Sequence, residues 1–364
     1  MHCYIVGKSG SGKTTLLETL ISQDIQNRRG CALIDPHGDL VERIYESLPI
    51  NLKEDVIYLN IPDLNQPWGY NPFRKIAKEK RPLLASGILN VFEHVWDKSW
   101  GARLEHILRY CLLTLLDQPQ ASMKDIASLL TDKSFRAKCL NHIEREEVTK
   151  FWTKEFGRYK NDALVPILNK VGAFLAYPCV RRLLEINSQN ISLRSIMDEQ
   201  KILLVNLSKG IIGEDASTLI GSLLITSLGL GAFSRADTLE EKRLPFFIYV
   251  DEFQNFTGTA MMSMLSELRK YKVGLILAHQ YLDQLDEGIK SAILGNVGTL
   301  ISFRLGPKDA PLIAKEFDPI FEPIDLINLP NYNILLKLMI EGIPSKPFSA
   351  STIQVKDIQS KGVP

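Results

Sequence analysis

The first fifteen residues constrain the fold of this chain more than any other stretch. A short apolar segment, Cys3-Tyr4-Ile5-Val6, runs into Gly7-Lys8-Ser9-Gly10-Ser11-Gly12-Lys13-Thr14, which fits the phosphate-binding pattern GxxxxGK[ST] at every defined position. Glycines in such a loop let backbone N–H groups curl around an anion without interference from a Cβ atom. The stretch predicts a buried strand, a phosphate-binding loop (P-loop) and a helix, in that order.

The residues after the loop support the helix. Apolar residues recur with helical period, at Leu16, Leu17, Leu20, Ile21 and Ile25. Gly30 fits a C-terminal stop for this helix. The helix N-terminus points its unpaired N–H groups and the positive end of its dipole at bound phosphates. The order of strand, loop and helix argues against a glycine-rich turn of chance spacing.

We therefore expect a nucleoside triphosphate, ATP, to bind at this loop together with Mg²⁺. Lys13 would reach the outer phosphates, and the Thr14 hydroxyl would bind the Mg²⁺ ion. The expected nucleotide-binding residues are Gly7, Lys8, Ser9, Gly10, Ser11, Gly12, Lys13, Thr14 and Thr15.

Composition places the chain among globular proteins of one or two domains, since it has 364 residues of which 45% are hydrophobic. The formal net charge is only +1, but residues 72–200 hold 21 Lys and Arg against 15 Asp and Glu. This basic middle part faces either solvent or a polyanion.

Cysteine usage and hydropathy indicate a cytoplasmic protein. The five cysteines form no CxxC pair and have no histidine at metal-ligand spacing, which is typical of thiols in a reducing compartment. No apolar run reaches the roughly 18 to 20 residues of a membrane span. The longest candidate, residues 219–233, contains Gly, Ser and Thr and predicts a buried helix, so we expect no membrane segment in this chain.

A second α/β unit follows the P-loop helix. Cys31-Ala32-Leu33-Ile34 predicts a buried strand that ends in Asp35-Pro36-His37-Gly38-Asp39, where Asp39 is expected to cap a helix over residues 40–47. His37 is either catalytic or, more simply, a structural loop residue. A strand over 56–59 precedes a Pro- and Gly-rich passage, which indicates that a first core segment, residues 1–73, ends at Phe73.

Residues 74–200 predict an all-α domain inserted into the α/β fold. Helical spacing is found over 91–100, 104–116, 123–130, 135–156 and 164–175, with breaks at Pro119, Gly157, Pro166 and Pro178. Aromatic residues recur three to five positions apart in this region, which is more typical of a core than of a base-stacking surface.

The sheet resumes at residues 202–206, which are followed by a long helix over 215–233. The apolar run 246–250 then ends in Asp251-Glu252, as expected for a central parallel strand that ends at a ligand-binding edge. Asp251 would hold Mg²⁺ through water, and Glu252 would polarise the water that attacks the γ-phosphate. Apolar strands also end in Asp-Glu for other reasons, but here the P-loop lies in the same chain.

Further strands are predicted over 273–278, 299–303 and 333–339, the last being the final strand. Gln280 follows the first of these strands and is placed either to hydrogen-bond the γ-phosphate or its water, or simply to cap the strand. Helices are predicted over 259–271 and 309–317. The second core segment therefore spans residues 201–345, and a tail of little periodicity spans 346–364.

These motifs together resemble the HerA/FtsK class of RecA-like DNA-pumping ATPases, and within it the conjugative coupling proteins of type IV secretion and their HerA-like relatives. The resemblance covers roughly residues 1–73 and 200–345. It is carried by the P-loop and by Asp35-Pro36-His37-Gly38-Asp39, Tyr70-Asn71-Pro72-Phe73, Ile248-Tyr249-Val250-Asp251-Glu252 and Leu277-Ala278-His279-Gln280.

The resemblance implies a RecA-like P-loop NTPase core with a mainly parallel sheet and an inserted all-α domain. It also implies a homohexameric ring with ATP between subunits, sequence-independent DNA binding in the central channel, and secretion-system or relaxase partners for the all-α domain. An arginine would reach into the neighbouring subunit's site; Arg269 matches best and Arg304 is the second candidate. Only six residues precede Gly7, where relatives carry further N-terminal segments, so the sequence is either truncated or a minimal motor core.

Two other functions are compatible with the same residues. A related ring ATPase that drives protein secretion or assembly would hydrolyse ATP indifferently to DNA. A nucleotide-gated scaffold would bind ATP and recruit partners while hydrolysing slowly, although Glu252 argues against it. A single P-loop argues against a helicase with two motor lobes in one chain.

Overall fold

The structure is a computed structural model and describes residues 2–73, 76–96, 100–185 and 189–353. The described residues form two compact units. The sheet unit comprises the described parts of Met1–Leu59, Leu193–Leu207 and Gly231–Pro364, and the helical unit comprises those of Asn60–Ser192 and Ser208–Leu230. This division assigns residues 60–73 and 208–230 to the helical unit, whereas the sequence prediction assigned both segments to the α/β core.

Short apolar runs form the strands. In chain order they are β1 (Cys3–Val6), β2 (Cys31–Asp35), β3 (Val56–Asn60), β4 (Ile202–Asn206), β5 (Phe246–Val250), β6 (Val273–His279), β7 (Thr299–Ser302), β8 (Asn333–Lys337), β9 (Met339–Ile340), β10 (Ile343–Pro344) and β11 (Phe348–Ser351).

Among the described residues, nine of these strands form one sheet in the order β11-β8-β7-β1-β6-β5-β2-β4-β3, and β9 and β10 form a separate hairpin. The central pairs are parallel, as between β1 and β6 and between β5 and β6. Strand β8 pairs antiparallel with β7 and with β11. Residues of β2, β4 and β6 are buried throughout because helices cover both faces of a parallel sheet. The predicted α/β fold with a mainly parallel sheet is confirmed.

Helices of the sheet unit connect these strands. The first three are α1 (Lys13–Gln26), α2 (Asp39–Ser47) and α3 (Ile50–Lys53). The helical unit begins with α4 (Arg81–Trp96), α5 (Ala102–Leu116), α6 (Asp125–Thr131), α7 (Lys133–Leu140), α8 (Glu146–Lys150), α9 (Asn161–Leu175) and α10 (Pro178–Leu184). The chain continues through α11 (Leu193–Asp198) in the sheet unit, and through α12 (Lys209–Ile212) and most of α13 (Glu214–Ser234) in the helical unit. The remaining helices belong to the sheet unit and are α14 (Thr259–Glu267), α15 (Glu287–Asn296), α16 (Ala310–Ala314) and α17 (Pro323–Asn328).

The helical unit has an aromatic core. The rings of Phe92 and Trp96 stack with centroids 4.4 Å apart, and those of Tyr110 and Phe151 stack at 4.2 Å. The indole N–H of Trp152 donates to the Thr114 hydroxyl at 2.7 Å, which satisfies the polar atom of a buried ring. The prediction that these aromatic residues form a core rather than a base-stacking surface is confirmed for Phe92, Trp96, Phe151 and Trp152.

Three predicted boundaries in the helical unit are wrong or incompletely described. The single helix expected over 135–156 is divided, because α7 ends at Leu140 and α8 begins at Glu146. Pro166 does not break α9, which runs through it. Pro166 has no N–H group, so the helix lacks one backbone hydrogen bond, to the Asp162 carbonyl. Asp162 is exposed, so water can bind that carbonyl instead. Residues 97–99 of the helix predicted over 91–100 lie outside the described residues.

The C-terminal part departs from the sequence prediction. Strand β8 is not the last strand, because β11 pairs beside it within the segment expected to be an aperiodic tail. Residues 354–364 of that tail lie outside the described residues. The helix predicted over 309–317 is shorter than expected, since only α16 forms there. The predicted stop of the first helix at Gly30 is also wrong. Helix α1 ends at Gln26, and the left-handed residue after it is Arg28 (φ 51°).

One helix in the described part of the chain, Glu214–Asp237, is long and apolar enough to cross a membrane, but 83% of its most apolar window is buried within the protein. A buried core helix passes the same test, as does a bent helix pair formed by α9 and α10. Inside the helical unit, the Tyr70 hydroxyl donates to the Leu223 carbonyl of α13 at 3.1 Å and lies 2.6 Å from the Ser227 hydroxyl. These contacts agree with the expectation of a buried helix.

Candidate nucleotide-binding site

The P-loop lies at the edge of the sheet where the parallel strands end, which we call the carboxyl edge. Its first residues are tied to the neighbouring strands by the backbone. Gly7 N–H donates to the His279 carbonyl at 3.3 Å, and Lys8 N–H donates to the Arg304 carbonyl at 2.9 Å. A Cβ atom on Gly7 would lie 2.4 Å from Cβ of Phe303, so only glycine fits this position.

Two further glycines give the loop its shape. Gly10 (φ 73°) and Gly12 (φ 117°) adopt left-handed conformations that favour glycine. A Cβ atom on Gly10 would meet no atom within 4 Å, whereas one on Gly12 would lie 2.9 Å from the Tyr332 ring. The loop is therefore open at Gly10 and closely covered at Gly12, which leaves room for an anion over its middle.

Lys13 lies within the loop. Its side chain is buried, and Nζ donates to the Gly7 carbonyl at 2.6 Å and the Lys8 carbonyl at 3.2 Å. Burial lowers the pKa of Lys13, and the charges of Glu252 and Asp251 act in the opposite direction. The ammonium group is thus placed between the loop and two carboxylates, as the chemistry of an outer phosphate requires.

The carboxylates follow β5 at the same edge. Asp251 and Glu252 are buried, with 5% and 8% of their surface exposed. Burial raises the pKa of Asp251 to about 7, with further contributions from the charges of Asp35 and Glu252. The N–H of Glu252 and the charge of Lys13 oppose this rise. Such crowded carboxylates fit a cation, because a positive ion removes their mutual repulsion.

The residues present fit a Mg²⁺ ion that is bound jointly by the protein and the nucleotide. The residues that would hold the ion are Asp251, through its carboxylate, and Thr14, through its hydroxyl at the start of α1. Within the described residues, no group of three or more His, Cys, Asp or Glu side chains is arranged to hold a metal by itself. Mg²⁺ is commonly held by one or two side chains together with waters and phosphates, so this arrangement suits it.

Asp35, rather than Asp39, caps helix α2. Its Oδ2 accepts from the N–H groups of Leu40 and Val41 at 3.0 and 3.1 Å, and its Oδ1 accepts from that of His37 at 2.9 Å. The predicted capping role of Asp39 is wrong, because Asp39 lies inside the helix and the residue before it is Gly38 (φ 90°). His37 is exposed, while Asp35 is buried and contributes to the charge around Asp251.

Glu252 is contacted by two glutamines. Gln280 Nε2 donates to Glu252 Oε1 at 2.8 Å, and Gln254 Nε2 donates to Glu252 Oε2 at 2.7 Å. Gln280 thus lies at the carboxyl edge, as the sequence predicts, and its side-chain amide donates to the Glu252 carboxylate. Gln254 was missed, because a glutamine within a short turn carries no distinctive sequence signal.

His279 was also missed as part of this site, although it lies in a quoted motif. It is fully buried at the end of β6, and its Nδ1 lies 3.2 Å from the Tyr4 hydroxyl. Burial, followed by the charge of Lys13, lowers the pKa of His279 to about 3, so the ring is neutral. A histidine inside an otherwise apolar strand was the available signal.

The two candidate arginines lie at opposite edges of the sheet. The backbone of Arg304 supports the P-loop through Lys8, and its side chain is half-buried. Arg269 is exposed in the short 3₁₀ turn Leu268–Tyr271, just before β6 begins. Arg269 contributes, after burial, to lowering the pKa of His2 to about 4, and His2 directly precedes β1. The chain therefore does not bring Arg269 to its own P-loop.

The sheet order and the P-loop edge define a RecA-like P-loop NTPase fold. The sequence matches the family of type IV secretion-system coupling protein DNA-binding domains over residues 1–316, and the chain belongs to this family. The resemblance to conjugative coupling proteins is confirmed. No curated protein sequence matches the chain.

Solved structures show the same fold. The bacterial conjugative coupling protein TrwBdeltaN70, in an unbound form, is 16% identical, with 97% of this chain and 85% of that chain covered and a TM-score of 0.72. The plasmid coupling protein TrwB in complex with ADP and Mg²⁺ gives the same identity, coverage and TM-score. VirB4 of Thermoanaerobacter pseudethanolicus is 13% identical, with 98% and 91% coverage and a TM-score of 0.61.

Proposed function

We propose that this chain hydrolyses ATP and uses the reaction to translocate DNA, as the motor part of a conjugative coupling protein or a HerA-like DNA pump. The observation that carries the proposal is the convergence of Lys13, Asp251 and Glu252 at one edge of the sheet, with charges that act on one another. Membership of the coupling-protein family supports DNA as the substrate that is moved.

The loop would bind the phosphates of ATP. Backbone N–H groups of residues 7–15 surround the phosphates, and the N-terminus of α1 adds its dipole. Lys13 exchanges the Gly7 and Lys8 carbonyls, which it contacts at 2.6 and 3.2 Å, for phosphate oxygens. Because Lys13 is buried, its interaction with phosphate is stronger than in water.

Asp251 and Thr14 would hold Mg²⁺ with the β- and γ-phosphates. When bound, the ion neutralises charge that develops on the phosphates. Glu252 accepts a proton from the attacking water, and Gln280 lies within reach of that water or of the γ-phosphate. Both side chains are near the end of the same pair of neighbouring strands, β5 and β6.

A second subunit would complete the site. Arg269 is exposed at the opposite edge from its own P-loop, so a ring in which each chain presents that edge to its neighbour supplies an arginine in trans. Arg304, which lies beside its own loop, is the second candidate. We propose a homohexamer in the cytoplasm, with secretion-system or relaxase partners contacting the helical unit.

The test is ATP hydrolysis by the wild type with and without duplex and single-stranded DNA, at low and high salt. We expect stimulation by DNA of any sequence that weakens as salt rises, because backbone contacts release counterions. Lys13→Ala abolishes hydrolysis, and Lys315→Ala, at an exposed lysine, is the matched control.

Two results would contradict the proposal. Hydrolysis that is indifferent to DNA in a confirmed hexamer would indicate a motor for protein secretion or assembly. ATP binding without appreciable hydrolysis would indicate a nucleotide-gated scaffold.

A further inference from the structure

The carboxylate of Glu252 is held from both sides. Gln254 donates to Oε2 at 2.7 Å and Gln280 donates to Oε1 at 2.8 Å. Glu252 is 8% exposed, so both bonds lie where water competes little for the carboxylate. Two donors on opposite oxygens fix the rotation of the carboxylate as well as its position.

The backbone fixes Gln254 relative to Glu252. Glu252 adopts a left-handed conformation (φ 46°), which is strained for a residue with a side chain. The 3₁₀ turn Phe253–Phe256 follows, and the Asn255 N–H donates to the Glu252 carbonyl at 3.1 Å. Phe253 and Phe256 are buried, and the Phe253 ring lies 4.9 Å from that of His279. The turn therefore returns the side chain of Gln254 to the carboxylate two residues earlier.

The amide of Gln254 has one partner. Its Oε1 atom is buried and accepts no hydrogen bond from any residue that the structure describes. A buried acceptor without a donor is unfavourable, because it has lost its hydrogen bonds to water. Among the residues that the structure describes, the bond to Glu252 is thus the contact that orients this amide.

The two glutamines are attached differently. Gln280 follows β6, the neighbouring strand, whereas Gln254 lies on the same turn as Glu252. A movement of the end of β6 relative to β5 changes the Gln280 contact and leaves the Gln254 contact in place.

We propose that Gln254 is a positioning residue for hydrolysis, which holds Glu252 through Oε2 while Gln280 exchanges Oε1 for the γ-phosphate of ATP. This inference rests on the proposed function. Once Gln280 leaves, Oε1 accepts a proton from the attacking water. The water oxygen bonds to the γ-phosphorus, and the bond from that phosphorus to the bridging oxygen breaks, with its electron pair passing to ADP.

The first test compares two substitutions of similar size. Gln254→Met removes the donor, and Gln254→Glu replaces it with an oxygen that repels Glu252. We expect kcat to fall about tenfold in Gln254→Met and up to about a hundredfold in Gln254→Glu, with KM for ATP within about twofold, because a small misplacement of a catalytic group costs up to about this much. The neighbouring amide provides the matched control, Asn255→Leu, which should retain wild-type kcat. Equal activity of both Gln254 variants and the wild type would overturn the inference.

A second measurement does not depend on hydrolysis. Side-chain amide resonances of ¹⁵N-glutamine-labelled protein are compared between the wild type and Glu252→Ala, with Gln284 as an internal reference. We expect the resonances of Gln254 and Gln280 to shift and that of Gln284 to stay. An unmoved Gln254 resonance would overturn the inference even in an active ATPase. If the Gln254 resonance differs between the wild type and Glu252→Ala but the wild type hydrolyses no ATP, the contact exists and the proposed function is overturned. The catalytic role of the contact is then overturned as well.

Discussion

The two edges of the β-sheet use charged and polar side chains in opposite ways. At the carboxyl edge, Asp251 is buried near Asp35 and Glu252, and its raised pKa, about 7, reflects burial and repulsion. At the amino edge, where the strands begin, Arg235 is buried and donates to the carbonyls of Tyr271 and Leu244 at 3.0 and 2.7 Å. The Arg235 guanidinium at the amino edge is thus bonded to backbone carbonyls, whereas the carboxyl edge gathers acidic side chains whose charges repel one another.

Backbone packing shows the same contrast. At the amino edge, Gly30 N–H donates to the side-chain oxygen of Gln200, and the Gln200 amide donates to the Met197 and Pro245 carbonyls at 3.1 and 3.0 Å. At the carboxyl edge, Gly10 faces open space. The buried contacts of Arg235 and Gly30 therefore stabilise the fold at the amino edge, whereas we propose that the carboxyl edge carries the chemistry. Substitutions at these positions should then separate stability from activity.

The largest effect is expected for Glu252→Gln at the carboxyl edge. Loss of the proton acceptor should lower kcat by about 10²–10⁴, because general base catalysis contributes this much. The melting temperature should not fall, since the variant removes a buried charge. Glu267→Gln, at an exposed glutamate that ends α14, is the matched control in the same hydrolysis assay. Equal activity of wild type and Glu252→Gln would remove the proposed role of the carboxyl edge.

Next in size is Arg235→Met at the amino edge. The change leaves two carbonyls unpaired and removes the ion pair with Asp198, whose oxygen lies 3.1 Å from Nε. We expect the free energy of unfolding to fall by about 3 kcal/mol, measured by urea denaturation. The control is Arg269→Ala at the same edge, which should change stability by less than about 0.5 kcal/mol because that side chain is exposed. A stable Arg235→Met protein would contradict the structural role of this edge.

A smaller loss is expected for Gly30→Ala. The new Cβ would lie 2.8 Å from Cα of Gln200 and 2.9 Å from the Phe246 ring, so the strand starts must separate. We expect a loss of about 1–3 kcal/mol in the free energy of unfolding, with unchanged activity per folded molecule. Gly295→Ala in α15, where the Cβ meets no atom within 4 Å, should cost nothing. Equal melting temperatures for both variants would show that the contact is not tight.

The effect that is smallest near neutral pH concerns His279. The folded protein holds His279 neutral with a pKa of about 3, below the ordinary value of 6.5. As pH falls below 6.5, His279 binds a proton in the unfolded chain but stays neutral in the folded chain. The wild type therefore loses stability, by at most about 1.4 kcal/mol per pH unit from this group. His279→Gln should flatten the dependence of unfolding free energy on pH between 6.5 and 4. Parallel curves for the two proteins would contradict the neutral state of His279.

Much of the sheet unit could be predicted from the sequence, because local signals and tertiary needs agree there. The P-loop, β5 with Asp251 and Glu252, and β6 with Gln280 each combine an apolar run with an edge residue. Strand β11 was missed because Phe348–Ser351 is short and mostly exposed, and it is a strand only through its partner β8. A glycine is required at position 30 because the backbone of Gln200 lies close to it, and no local sequence pattern shows this contact.

The site shows the same limit. The sequence predicted Asp39 as the cap of this helix, and only the fold shows that the Asp35 carboxylate accepts hydrogen bonds from the N–H groups of α2. The contact of Gln254 with Glu252 depends on one left-handed residue, whose conformation is not encoded by residue type. The sequence therefore indicated the residues proposed to perform the chemistry more readily than the residue proposed to position them.

The most direct test of the account concerns Arg269, which does not reach the P-loop of its own chain. Lys13→Ala and Arg269→Ala subunits, each inactive alone, are mixed at several ratios, and ATP hydrolysis is measured, with Arg304→Ala in place of Arg269→Ala as a parallel series. A ring that pairs the carboxyl edge of one subunit with the amino edge of the next should regain activity near equal mixing, where about a quarter of the interfaces combine an intact Lys13 with an intact Arg269. Absence of recovery at every ratio with Arg269→Ala would contradict a site shared between these two edges.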